Sequence, residues 1–236
     1  MRDNNDSKTE LSLSYQELHS NATILMLAGY KTTESSLSAL FHHLLSNPGA
    51  FQTLQRELHH RFKGIKEITG KELLALPFLN GCVHETLRLT PPLAGKIASR
   101  TSPGATLEDL YVPAGTEVFS ETYTMQRSPQ YWHAPNDFRP ERWYKREAGD
   151  VYEHDNHAAY KPFSSGARVC LGKELALQSL RLSAALLVYR FDFTMPARGH
   201  FVWDADVTSR MTYTGYRVLA EVYEHSPKEL YGGAHL

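Results

Sequence analysis

The stretch KELALQSLRLSAALLVY, residues 173–189, is the feature that most limits what this chain can fold into. Leu175, Ala176, Leu177, Leu180, Leu182, Ala184, Ala185, Leu186 and Leu187 leave it apolar on nearly every side, which predicts a helix buried by several partners. Such a helix needs a sizeable core around it. A chain of 236 residues, 42% hydrophobic, supplies one large domain or two small ones. No repeat, low-complexity tract or linker divides it, so the expected organisation is a flexible lead-in over 1–13 and a single domain over 14–236.

Helical signals fill the first ninety residues. Ser14 and Glu17 have capping-box spacing, and Leu18, Ala22, Leu25, Met26, Gly29, Leu37, Leu40, Phe41 and Leu44 recur at helical intervals, predicting one helix over Tyr15 to Ser46. Asn47 and Pro48 end it and begin a second, to about Phe62. Thr69 with Glu72 marks a short helix, and Pro77 to Leu89 a further one that Pro91-Pro92 terminates. Beyond it, Lys96–Thr101 and Glu117–Thr124 read as strands around the turn at Val112–Thr116. Gln130 to Asp155 has no period and reads as a meander packed by its aromatics; Arg190–Thr194, Val207–Tyr213 and Tyr216–Tyr223 read as closing strands. The fold class is mainly α with small β-sheets.

Lys plus Arg at 25 against Asp plus Glu at 26 removes the basic excess that tracks nucleic acid. The longest early apolar run, Ala22 to Gly29, is far short of the ~20 residues of a membrane helix, so no transmembrane segment is expected in this chain. Two cysteines and no evident signal peptide suggest a reducing, intracellular compartment. Cys82 reads as core packing. The histidine pairs 42–43 and 59–60, with His154 and His157, lack metal-binding spacing and are expected in solvent.

Cys170 lies in FSSGARVCLG, directly before the apolar helix. Gly166 and Gly172 permit tight turns and close approach of a flat partner, and Arg168 offers a fork of donors suited to a carboxylate. The start of the helix favours a thiolate and offers backbone donors to its sulfur, which suits an iron ligand. A lone cysteine in a loop is more often an inert thiol. Phe163, Gly166, Arg168, Cys170 and Gly172 together, however, match a fixed pattern that chance would produce on the order of once in ten thousand chains of this length.

That pattern resembles FxxGxRxCxG, the haem-binding loop of the cytochrome P-450 superfamily of haem-thiolate monooxygenases. Three further stretches resemble the family in the same order. Ala28-Gly29-Tyr30-Lys31-Thr32-Thr33 is similar to its oxygen-binding turn, Glu85-Thr86-Leu87-Arg88 to ExxR, and Phe138-Arg139-Pro140-Glu141-Arg142-Trp143 to the PERF box with Trp for the last Phe. Glu85 and Arg88 share a helix face, and Arg142 arriving from the meander completes a hydrogen-bonded triad.

The resemblance covers Ser14 to about Tyr223 and only the C-terminal half of the family's fold. It implies Cys170 as axial ligand of a haem b iron, Arg168 and Arg100 on the propionates, and Gly29 and Thr32 at the oxygen site. Leu25, Met26, Leu93, Ala94 and Ile97 would line a cavity for a small lipophilic substrate. Wording around Gly29 and Cys170 is closest to fungal members acting on secondary metabolites. Electrons are expected from NADPH through a flavoprotein reductase, docked where Lys161, Arg168, Lys173 and Arg181 supply positive charge. The family implies the cytosolic face of the endoplasmic reticulum, although its N-terminal anchor has no counterpart here. Lys31 stands where the family carries an acid, and its reference pKa is far higher than a carboxylic acid's. The competing expectation is a truncated, inactive haem-binding remnant or a partial gene product.

Overall fold

The computed structural model describes residues 13–95, 99–145, 148–194 and 221–224. Helix α1 (Tyr15–Ser46) begins at a complete capping box: the Glu17 amide donates to Ser14 Oγ, and the Ser14 amide donates to Glu17 Oε2 at 2.8 Å. α2 (Pro48–Arg61) starts on Pro48. Asn47 gives it no side-chain cap, because its amide donates back to His43 O at 2.8 Å and closes α1 instead. Likewise α3 (Gly70–Leu73) lacks the expected Thr69 cap, and Glu72 pairs with Arg61 across the loop.

α4 (Pro77–Leu89) is the hub. Ten of its residues, from Phe78 to Leu89, are buried, Glu85 and Arg88 among them. Around it pack Leu40 and Leu44 of α1, Leu54 and Leu58 of α2, and Leu177, Leu180, Ala184 and Val188 of α6 (Lys173–Arg190). Each such Leu or Val contributes ~1.5–3 kcal/mol of transfer free energy. Cys82 is fully buried in this core, as expected, and burial pushes its thiol pKa well up. Gly81 brings the Pro140–Trp143 turn onto α4; a Cβ there would lie 2.4 Å from the Pro140 carbonyl oxygen.

α6 departs from the expectation of burial on several sides. Its buried residues recur three and four apart on one face, whereas Leu175 is 70% exposed and Leu171, just ahead, 90%. Leu171 and Leu175 leave apolar surface beside the cysteine loop.

The sheets are small antiparallel pairs. β1 (Arg100–Thr101) pairs with β4 (Glu117–Val118), β2 (Ala105–Leu107) with β3 (Leu110–Val112), and β5 (Phe191–Thr194) with β6 (Glu221–Glu224). The expected strand over Glu117–Thr124 ends at Val118, and Thr122–Gln126 is helix α5. Tertiary bonding overrides local preference there: Gln126 Nε2 donates to the Leu87 and Arg88 carbonyls, and Arg127 donates to Leu89 O, satisfying the C-terminal end of α4. The hairpin β2–β3 was not anticipated; it turns through Glu108, at φ 51°, without a glycine. Residues 1–12, Lys96 to Ala98 and the expected strand at 207–213 lie outside the described residues, as does most of 216–223. Among the described residues, no helix is long and apolar enough to cross a membrane.

Candidate functional site

The expected triad forms, and it is larger than three residues. Arg88 donates to both Glu85 oxygens at 2.9 Å, and Arg142 Nε donates to Glu85 Oε1 at 2.9 Å, with all three side chains fully buried. Two guanidinium groups on one carboxylate would leave a buried excess charge. Asp155 removes it: its Oδ2 accepts from Arg142 Nη1 and its Oδ1 from the His133 amide. Burial tends to lower the Arg142 pKa, but Glu85 and Asp155 outweigh it and hold it above its usual value. The remaining hydrogens of Arg88 go to carbonyls of Gln126, Pro135 and Asp137, and Arg142 Nη2 donates to Ala134 O. A buried ionic group is tolerated when it is paired and hydrogen-bonded.

Trp143, standing for Phe in the resemblance, adds a donor to the network. Its Nε1 reaches Glu85 Oε2 at 3.0 Å, and the Arg139 amide reaches Oε1 at 3.0 Å. Nothing in the sequence pairs Asp155 with Arg142. The unbalanced charge of two arginines on one glutamate was the signal that could have found it.

The network anchors the meander, which leads into the cysteine loop. Phe163 packs against the main core, and its carbonyl accepts the Cys170 amide at 2.9 Å. Between them, Ser164 at φ 62° and Gly166 at φ 71° bend the chain into a short turn over Gly166–Arg168. That folding throws Arg168, Cys170 and Gly172 outward, all exposed, and Cys170 is a free thiol. Gly172 sits at the N-cap position of α6.

On α1, Gly29 faces open space, with nothing within 4 Å of a built Cβ. Thr32 Oγ1 donates to Ala28 O at 2.6 Å, back along the helix. Lys31 Nζ meets Glu34 Oε2 at 2.7 Å, both half-exposed, so the residue in the acid position is tied to an acid one turn on. Leu25 and Met26 are 58% and 74% exposed. Leu93 and Ala94 are half-buried, and Ile97 lies outside the described residues. Arg100 is exposed on β1, where Nη1 donates to Ser99 O.

Several surface expectations need correction. Arg181 is buried and donates to Asn80 Oδ1 at 2.6 Å, so it adds nothing to a positive docking face. His43 is not in solvent: it stacks on Phe138 at 5.0 Å, and burial, with His42, Arg127 and Arg88 nearby, lowers its pKa to about 3. His59 packs on Tyr189, and His157 against Trp143 and Trp132. His60 and His154 are exposed as expected.

The cysteine loop fits a flat metal-bearing cofactor. Among the described residues, no group of three or more His, Cys, Asp or Glu is placed to hold a metal ion. Among the exposed residues beside it, Val169, Leu171 and Leu175 are apolar and Arg168 is a fixed cation, side chains suited to a hydrophobic plate that carries carboxylates.

Fold, ion network and cysteine loop together define a cytochrome P-450, and the family model of that description matches residues 1–205; the chain belongs to this family. It is 63% identical over 224 residues to a sesterfisheric acid synthase of Neosartorya fischeri, covering 95% of this chain and 41% of that one. It is 44% identical over 219 residues to the cytochrome P-450 monooxygenase FUP2 of Fusarium proliferatum, covering 93% and 43%. A cytochrome P-450 monooxygenase of Aspergillus niger, aunB, is 39% identical over 164 residues, covering 70% of this chain and 100% of its own length. The chain thus spans about two fifths of the first two relatives.

Proposed function

We propose that this chain is the iron-binding part of a haem-thiolate monooxygenase that inserts one atom of O2 into a small lipophilic molecule of fungal secondary metabolism. The observation that carries the reading is Cys170, an exposed thiol on a core-anchored glycine turn beside the apolar side chains of Val169, Leu171 and Leu175. When bound, haem b supplies oxygen activation and electron storage. Cys170 Sγ holds the iron as thiolate, and Arg168 with Arg100 pair with the propionates.

Residues of α1 would form the other side of the site. Gly29 leaves room for dioxygen, and Thr32 Oγ1, turning from the Ala28 carbonyl, holds a water that passes protons. Glu34 holds Lys31 Nζ, so proton supply in that position comes from an ammonium–carboxylate pair. Leu25, Met26, Leu93, Ala94 and Ile97 line the substrate side. The name of one relative, sesterfisheric acid synthase, supports an acid as the product. An NADPH-dependent flavoprotein reductase docks beside Lys161, Arg168 and Lys173, and the enzyme works at the cytosolic face of the endoplasmic reticulum.

A second reading, a haem-binding remnant without turnover, is favoured by the exposure of Leu25 and Met26, which leaves the substrate side of α1 without a wall among the described residues. Incubation of the haem-loaded chain with reductase, NADPH, a panel of small lipophilic compounds and isotopically labelled O2 separates the two. One labelled oxygen in a product supports the monooxygenase; NADPH oxidation that yields only peroxide supports the remnant.

A further inference from the structure

Tyr160, His84 and Trp143 meet on the floor of a surface cavity of about 510 Å³ that Tyr144, Asn80 and Pro77 help to line. The Tyr160 hydroxyl lies 3.0 Å from His84 Nδ1. Its ring stands edge-on to Trp143 at 4.6 Å between centroids, and Trp143 lies 6.0 Å from Trp132. Three oxidisable rings are therefore in contact, and an imidazole nitrogen lies within hydrogen-bond distance of the phenol oxygen of one of them. Tyr160 is also three residues before Phe163, whose carbonyl holds the Cys170 amide.

The charges around the three rings differ in a way that directs an electron hole. The Arg88 and Arg142 guanidinium carbons sit over Trp132 at 5.1 and 5.9 Å, which disfavours positive charge on that ring. Trp143 instead donates its N–H to the Glu85 carboxylate, which favours positive charge there. At Tyr160, burial pushes the phenol pKa well up, so the proton stays on until an electron leaves. Burial, followed by Arg181, Lys173 and His157 nearby, lowers the His84 pKa to about 4 and keeps its imidazole neutral and able to accept.

We infer that Tyr160 and His84 form a proton-coupled redox pair, fed through Trp143, that takes up an oxidising equivalent generated at the cysteine loop and presents it at the surface cavity. A one-electron oxidant at the loop takes an electron from Trp143. Trp143 is restored by an electron from Tyr160, whose phenolic proton passes to His84 Nδ1. The net change is one electron gained by the oxidant, a neutral phenoxyl at Tyr160 and an imidazolium at His84. A thiol or ascorbate entering the cavity returns one electron, itself oxidised by one, and the proton goes back from His84 to the phenol oxygen. The relay would drain oxidant formed at the site when no substrate consumes it. Only that source rests on the haem reading of Cys170; the relay itself does not.

The test uses the same cysteine without haem. Cys170 is an exposed thiol and Cys82 a buried one, so a thiol-reactive ruthenium tris-bipyridine label attaches at Cys170 and places a photo-oxidant at the loop. After a flash with an external electron acceptor, transient absorption and electron paramagnetic resonance follow the radicals. The expected product is a phenoxyl that forms more slowly in D2O and is lost in Tyr160→Phe, leaving an indole radical. His84→Phe should slow its formation by roughly a hundredfold, the lower end of what a positioned base supplies. A phenoxyl yield unchanged in Tyr160→Phe, or a formation rate unchanged by both His84→Phe and D2O, overturns the proposal. A normal haem-thiolate spectrum alongside such a result would leave the cysteine reading standing.

Discussion

Asp155→Asn tests the ion network most sharply, because it changes one buried charge at constant shape. In the native chain two guanidinium groups, Arg88 and Arg142, are balanced by Glu85 and Asp155, all buried. The substitution leaves a net buried positive charge. It also turns one donor toward another, since an Asn amide has one acceptor oxygen for the two hydrogens that Asp155 now accepts, from Arg142 and the His133 amide. Removing one partner of a buried pair costs about 3–5 kcal/mol, a large share of the ~5–15 kcal/mol by which domains are stable. At about 2–4 °C per kcal/mol for a chain of this size, the melting temperature should fall by roughly 6–20 °C. Thermal unfolding followed by circular dichroism measures it, with Asp137→Asn as the control. Asp137 pairs with Arg139 at the surface, both about half exposed, and its loss should cost ~0–1 kcal/mol. Equal melting temperatures for the two variants would refute the claim that Asp155 neutralises a buried network.

Other outcomes follow from the same structure. Gly81→Ala forces a Cβ to within 2.4 Å of the Pro140 carbonyl oxygen, and denaturant titration should show a loss of about 1–3 kcal/mol. His43 and His84, with folded pKa values of about 3 and about 4 against an ordinary 6.5, are harder to protonate folded than unfolded. Below pH 6.5 the unfolded chain therefore binds more protons, so stability is full above that pH and falls on acidification toward 4, at up to ~2.7 kcal/mol per pH unit for the two together. Melting curves across that window should flatten in His43→Phe. Lys31→Glu should raise the share of electrons that end in product rather than peroxide, read by comparing NADPH consumed with both yields; unchanged yields would sink the role given to this position.

Much of this architecture was legible in local signals. The ends of α1 and α4 follow from Ser14 with Glu17 and from Pro77 with the prolines after Leu89, because caps and prolines act within a turn. The Glu85–Arg88 pair was legible for the same reason, being three residues apart on one helix. What escaped was decided at a distance. Asp155 reaches Arg142 across 13 residues of meander, and Gln126 turns a strand-like segment into a helix by bonding to carbonyls 38 and 39 residues earlier. Asn47 and Thr69 had cap-type side chains, yet Asn47 bonds back to His43, while α3 receives no side-chain cap from Thr69. Histidine placement failed on composition alone, since an imidazole packs as an aromatic ring wherever Phe138, Trp143 or Tyr189 offers a face. The cysteine loop was read from its motif, and its geometry adds that anchoring to the core leaves the thiol exposed.

The central claim, that Cys170 binds haem iron as a thiolate, is tested most directly by the absorption spectrum of the reduced carbon monoxide complex of the haem-loaded chain. The account predicts the strongly red-shifted band of thiolate-ligated iron and its loss in Cys170→Ala. A folded, haem-loaded chain without that band, or a band that survives in Cys170→Ala, would contradict it.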